Sequence, residues 1–282
     1  MSKTWHSPVP QVEVPITLLG WVRVALRGLA LAIVTLSGLA VLLLVRLIER
    51  PVWDQHRPWT PMITVLVCRM CLLILGLRHG TSGQIMLHKG AVVSNHATWL
   101  DIFVLNAQKR VYFVSKSDVA HWPGIGWLAR ATGTVFIERR PKDALEQKRL
   151  FQMRLKFGHK LLFFPEGTST DSVSLTDFKS TLFAAFFDPE LYDKLWIQPT
   201  TVKYTAPKGQ DSRFYGWWGD MDFAENFVKI LAAPRQGRVD IVYHAPLKVS
   251  DYQSRKTLAS DCKEAVKFGF ETGQVATAKR LR

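Results

Sequence analysis

From Gly28 to Val45 the chain carries no charged residue and is almost wholly apolar, with Arg23 and Arg27 before the run and Arg46, Glu49 and Arg50 after it. As a helix this run barely reaches the length that a bilayer core requires, about 20 residues. A second apolar stretch, Met62 to Leu77, is interrupted by Arg69 and predicts a helix buried on one face or lying at a membrane interface. Trp5, Trp21, Trp53 and Trp59 bracket the two runs in the manner of an interfacial belt. Basic residues flank the first run on both sides, so their distribution assigns no orientation. A hairpin dipping into one leaflet fits these balanced flanks, and a core helix of the domain itself remains the alternative. Pro8, Pro10 and Pro15 precede the apolar run without a small-residue cleavage site, so the expectation is a retained anchor.

After His79-Gly80-Thr81-Ser82-Gly83, which reads as a turn between an anchor at 1–80 and a domain at 81–282, the pattern shortens. Apolar runs of strand length appear at Ala91–Ser94, Val111–Val114, Gly133–Arg139, Leu161–Phe163, Trp196–Val202 and Val239–Tyr243. Helical patterns fall at Thr98–Asn106, Lys142–Phe157, Phe178–Phe187 and Ser254–Phe270. Their alternation predicts an α/β fold, a mixed central sheet flanked by helices with an N-terminal membrane-associated helical hairpin.

Chemistry enters at Ser94-Asn95-His96-Ala97-Thr98-Trp99-Leu100-Asp101. An imidazole titrates near neutral pH and becomes an effective general base when a carboxylate holds its other ring nitrogen. Five residues advance about 500° on a helix, leaving the side chains roughly 140° apart, so the two cannot meet mid-helix. They meet if His96 lies in the turn after a strand and Asp101 in the first turn of the following helix. Thr98-Trp99-Leu100-Asp101 also fits a capping box, in which Asp101 merely satisfies an orphan backbone N–H. The residues alone leave both readings open.

Downstream strands end in further chemistry. Phe164-Pro165-Glu166-Gly167-Thr168 follows one, Arg139 closes another with a planar fork suited to phosphate or carboxylate, and Pro199 lies near the start of a fourth. His, Arg and Glu are thus expected at strand carboxyl ends, where open α/β sheets place ligands.

With these blocks in order, the chain resembles the PlsC-type glycerolipid acyltransferases, the lysophosphatidic acid acyltransferase superfamily. The matching segments are Asn95-His96 with Asp101, Gly133 with Phe136, Ile137 and Arg139, Phe164 to Thr168, and the Ile197–Val202 strand. The resemblance implies His96 as the base that deprotonates a lysolipid hydroxyl and Asp101 as the residue fixing its tautomer. It implies substrate-binding or site-organising roles for Arg139, Glu166, Gly167, Thr168 and Lys179, and no cofactor. The implied donor is an acyl thioester of acyl carrier protein or coenzyme A, and the implied acceptor a lysolipid at a membrane surface. The implied location is the inner, cytoplasmic membrane, with the catalytic domain facing the cytoplasm. Backbone N–H groups near Gly133 or Gly167 are candidates for the oxyanion.

One departure bears on the acceptor. Members that use lysophosphatidic acid commonly carry arginine where this chain has Ser169. Ser169-Thr170-Asp171, the segment Tyr215 to Asp222 and Ser254-Arg255-Lys256 look more like the branch that acylates lyso-ornithine lipids. The acceptor expected is therefore a lyso-aminolipid, with lysophosphatidic acid as runner-up. The Trp-rich segment equally reads as a buried packing corner.

Composition narrows the partners. Lys+Arg number 37 against 23 Asp+Glu, a formal charge of +14, which favours anionic lipid surfaces and an acidic carrier protein. Arg139, Arg140, Lys142, Lys148, Arg149, Arg154 and Lys156 form the densest basic stretch, but the charges are dispersed and no nucleic-acid motif accompanies them. Cys68-x-x-Cys71 lies in an apolar helix without a second pair, and His88, His121, His159 and His244 show no ligand-like cluster, so no metal is expected. Leu105, Trp122, Trp127, Phe183 and Phe187 are candidates for an acyl channel, with ordinary core packing the stronger reading for each. A serine esterase using Ser94 or Ser169 is disfavoured because no Gly-x-Ser-x-Gly elbow is present. A catalytically silent membrane-binding relative is the third alternative.

Overall fold

The computed structural model describes residues 4–10, 15–137 and 144–277. Two helices come first, α1 (Leu18–Trp53) and α2 (Thr60–Leu75), followed by strands β1 (Arg78–Gly83) and β2 (Gly90–Ser94). Then come α3 (Leu100–Gln108), β3 (Tyr112–Lys116), α4 (Ile125–Thr132), β4 (Val135–Ile137), α5 (Ala144–Lys156) and β5 (Leu161–Phe163). The chain finishes through β6 (Trp196–Thr205), α6 (Phe223–Ala232), β7 (Arg238–Tyr243), β8 (Leu247–Lys248) and α7 (Arg255–Thr272). The sheet order is β1-β7-β6-β2-β5-β3-β4, with β8 antiparallel to β6. β6, β2, β5, β3 and β4 run parallel, while β7 opposes β6 and carries β1 parallel to itself. This is the mixed sheet expected from the alternating pattern.

Central strands are buried on both faces, which explains their continuous apolar runs. Val92 of β2 joins a core layer with Leu72, Leu75 and Leu100 from α2 and α3, whereas Ala91 and Val93 join Phe163, Phe183 and Ile197 in the opposite layer. Successive residues of one strand thus serve two layers.

α2 is the helix buried on one face that the sequence offered as one of its two readings. Cys68, Cys71, Leu72 and Leu75 are buried in the core, and Leu66 and Leu73 are exposed. Arg69, which interrupts the apolar run, donates from Nε to the Ala107 carbonyl in α3 at 2.8 Å. Gly76 ends the helix in a left-handed conformation at φ 74°.

α1, at 36 residues, is long and apolar enough to cross a membrane. One side packs on the domain: a Cβ at Gly38 would meet Val67 Cγ2 at 2.3 Å. Arg23 and Arg27 do not flank a free span. They donate to the carbonyls of Ala232, Leu231 and Ala233 at the end of α6, where cations suit the helix dipole. Near the other end Glu49, fully buried, accepts the N–H groups of Trp59 and Thr60 and the Thr60 hydroxyl at the start of α2. The opposite side of α1 exposes Leu18, Val22, Leu26, Leu29, Ile33, Leu36, Leu43 and Leu47 along its whole length.

Two expectations are corrected. The separating turn at Arg78–Gly83 is the strand β1, whose polar residues suit an edge strand held to β7 by backbone pairing. The helix expected over Phe178–Phe187 is only a 3₁₀ turn at Leu182–Phe186, because the preceding chain bonds outward, with the Lys179 N–H on the Pro165 carbonyl. Helices α4 and α6 and the short β8 were not anticipated.

Candidate active site

β2 and β5 are parallel neighbours, so the segments that follow them meet at the same sheet end. Asn95 continues β2 by side chain: its amide donates to the Val202 carbonyl and accepts the Val202 N–H, both at 2.8 Å. The chain then turns, placing His96 before α3 and Asp101 in its first turn. His96 Nδ1 lies 2.7 Å from Asp101 Oδ2.

Asp101 is fully buried, while the His96 side chain retains 18% exposure. Asp101 Oδ2 also accepts the N–H groups of Ala97 at 2.8 Å and Thr98 at 3.1 Å. The capping contact and the imidazole contact therefore occur together: one carboxylate closes the turn and holds the imidazole. Its other oxygen, Oδ1, accepts the Tyr204 hydroxyl at 2.7 Å. Burial, with the Asp101 charge adding to it, pushes the Tyr204 phenol well above its usual range, so it remains a donor.

The imidazole is held on its other sides. Its ring stacks on Phe164 with centroids 4.0 Å apart and planes 9° from parallel. The His96 N–H donates to Glu166 Oε2 at 2.9 Å, and the His96 carbonyl accepts the Thr170 N–H at 3.0 Å. Glu166 is 1% exposed, and its Oε1 accepts the Thr176 N–H at 3.0 Å. Burial pushes its carboxyl up to about 8, against the two backbone donors that pull downward. Both Glu166 oxygens are thus occupied by backbone N–H groups.

Other expected residues divide. Gly167 takes φ 74° and closes a turn, donating its N–H to the Phe164 carbonyl. The Gly167 N–H is thus engaged within its turn, as is the Gly133 N–H on the Arg130 carbonyl. Gly133 is also at the amino end of β4, the far end of the parallel sheet from His96. Thr168 is half-buried beside Gly167, and Lys179 is exposed, tied to the Pro165 carbonyl by its backbone. Arg139 lies outside the described residues, as do Arg140 and Lys142.

The acyl-channel candidates separate into core and surface. Leu105 and Phe183 are buried in the two core layers, whereas Trp127 is exposed. The Trp-rich segment is a packing corner at Tyr215 and Trp218, both buried, yet the Trp217 backbone N–H also donates to the Ala97 carbonyl beside the site. Cys68 and Cys71 are free, buried thiols, and no cluster able to hold a metal occurs among the described residues. Ser94 is buried and pairs with Thr200 in register.

The contacts of Tyr204 with Asp101 and of Phe164 with His96 were not read from the sequence. A buried tyrosine on a strand next to the active end requires a polar partner, which was the available signal for Tyr204.

Comparisons with known proteins give the family. The family described as Acyltransferase matches residues 81–203. Lyso-ornithine lipid O-acyltransferase of Rhodobacter capsulatus is 57% identical over 265 residues, covering 94% of this chain and 96% of that protein. The enzyme of the same description from Rhizobium meliloti is 32% identical over 256 residues, covering 86% and 84% respectively. The crystal structure of the 1-acyl-sn-glycerophosphate (LPA) acyltransferase PlsC from Thermotoga maritima shares the fold, with a TM-score of 0.55 at 19% identity, covering 87% of this chain and 96% of that one.

Proposed function

This chain belongs to the acyltransferase family, and from that membership we propose that it transfers a fatty acyl group from a thioester to the hydroxyl of a lyso-ornithine lipid, with His96 as general base. The observation that carries the chemistry is the 2.7 Å contact between His96 Nδ1 and Asp101 Oδ2. With Nδ1–H donating to the carboxylate, Nε2 holds the lone pair that accepts a proton. The acceptor hydroxyl gives its proton to Nε2 as its oxygen bonds to the thioester carbonyl carbon. The tetrahedral intermediate then expels the thiolate, breaking the C–S bond, and the thiolate takes the proton back from His96. An ester and a free thiol result, with no acyl-enzyme. Proton transfer to a positioned base contributes about 10²–10⁴ in rate.

The near full-length likeness to the Rhodobacter capsulatus enzyme supports the ornithine-lipid acceptor, and Ser169 at the position of the phosphate-associated arginine agrees with it. Arg139, Thr168 and Lys179 remain candidates for substrate contact. The donor is a thioester of acyl carrier protein or coenzyme A. The anchor is α1, which lies along the domain with its apolar side in one leaflet, a placement supported by packing on one side and apolar exposure on the other. The catalytic end faces the cytoplasm, where both donors are made.

The purified full-length enzyme, offered lyso-ornithine lipid and lysophosphatidic acid with each donor, tests this reading. Ester formation on lyso-ornithine lipid is expected to predominate. A strong preference for lysophosphatidic acid would overturn the acceptor assignment, and free fatty acid as the main product would favour an esterase.

A further inference from the structure

Two loops meet beside His96 and Ala97. Thr170 holds the His96 carbonyl, and the Trp217 backbone N–H holds that of Ala97. The loops touch where Gly216 lies on the Asp171 backbone, so closely that a Cβ at 216 would come within 2.5 Å of the Asp171 carbonyl carbon. Arg213 is fixed by this contact, since its carbonyl accepts the Gly216 N–H. Its Nε donates to Asp171 Oδ2 at 3.2 Å, and its Nη1 lies 3.7 Å from Asp211 Oδ1. Asp171 is buried and firmly set, with Oδ1 accepting the N–H groups of Val173 and Ser174 and Oδ2 accepting the Ser7 hydroxyl as well. The Arg213 side chain is 27% exposed and that of Asp211 51%. A guanidinium is thus held by the loops that bond the His96 and Ala97 carbonyls, flanked by two carboxylates in a chain of net charge +14.

That charge arrangement matches a zwitterion. An ornithine linked through its α-amide keeps a carboxylate and a side-chain ammonium, and the carboxylate carbon is only six covalent bonds from the hydroxyl to be acylated. The headgroup must therefore lie close to His96. We propose that Arg213, positioned by Asp171, receives the carboxylate of this amino-acid headgroup while Asp211 receives its ammonium, an assignment that rests on the acceptor proposed above. The planar fork of arginine suits a carboxylate. A phosphate monoester brings up to about two negative charges and no ammonium, so the two aspartates oppose it. The subsite then discriminates by charge pattern, where Ser169 removes a cation that a phosphate would use.

The test compares full-length wild type with Arg213→Gln on lyso-ornithine lipid and on its carboxyl methyl ester in the same mixed micelles. The substitution is expected to lower kcat/KM for the free acid about tenfold or more, chiefly through KM, and to leave the methyl ester within about twofold of wild type. Arg213→Lys is expected to restore part of the loss, and it carries the comparison if thermal unfolding shows Arg213→Gln to be misfolded. Equal losses on acid and ester, or no loss on either, would overturn the role of Arg213 while leaving the acyltransferase reading intact. A wild-type enzyme that acylates neither ornithine substrate would overturn the acceptor reading and this proposal together.

Discussion

Tyr204 donates its hydroxyl to Asp101 Oδ1 at 2.7 Å, so the carboxylate that holds the His96 imidazole is itself held from β6. The contact joins the end of the sheet to the first turn of α3 and fixes the carboxylate in two directions. It also supplies the last of four donors converging on Asp101, together with His96 Nδ1 and the N–H groups of Ala97 and Thr98.

Tyr204→Phe removes this donor with little change in shape. A hydrogen bond to a charged group contributes about 1.5–3 kcal/mol, so kcat is expected to fall about tenfold, with KM for the acceptor unchanged. Steady-state kinetics on the folded variant checks this; unchanged kcat would show that Asp101 holds the imidazole without help from β6.

Glu166 gives the fold a pH dependence of defined sign. Its folded pKa of about 8 lies above the unfolded value, so the folded chain binds the extra proton between the two. Its contribution is fully present below the unfolded pKa, about 4.3, and is lost as pH rises through 8. The thermal midpoint of Glu166→Gln relative to wild type is therefore expected to rise between pH 5 and pH 8. A difference that stays flat across that range would contradict the raised pKa.

The exposed side of α1 predicts how the protein is held. Leu29, Ile33 and Leu36 are each more than half exposed and recur at helical spacing. Lysine at all three should leave the domain folded and lower co-sedimentation with vesicles at least about tenfold, because each charge at an apolar membrane position costs up to roughly 3 kcal/mol. Retained binding would place that side of α1 away from lipid.

Ser169→Arg restores the cation found in relatives that use lysophosphatidic acid. The ratio of kcat/KM for lysophosphatidic acid to that for lyso-ornithine lipid is expected to rise about tenfold. Competition between the two acceptors in one detergent mixture measures it directly, and an unchanged ratio would remove position 169 from headgroup selection.

What was legible in the sequence followed from periodicity and local geometry. The His96–Asp101 pair could be read because a strand, a turn and a helix start all fall within eight residues. Tyr204 could not, since its partner is 103 residues away and strand alternation does not report pairing register. β1 was hidden because an edge strand of His, Gly, Thr and Ser carries no apolar alternation. The stretch 178–187 misled in the opposite sense: its phenylalanines serve the core from a 3₁₀ turn. α6 did carry a signal that went unread, with Asp222 capping the N–H groups of Ala224 and Glu225 ahead of an apolar-periodic run. Glu166 was visible as a carboxylate, but only burial separated a backbone clamp from a substrate ligand.

The most direct measurement is the initial rate of ester formation from an acyl thioester and lyso-ornithine lipid by full-length wild type and His96→Ala in the same mixed micelles. The account predicts product from wild type and a rate at least about 10² lower for a variant with an unchanged unfolding midpoint. A folded His96→Ala protein that turns over at the wild-type rate would contradict it.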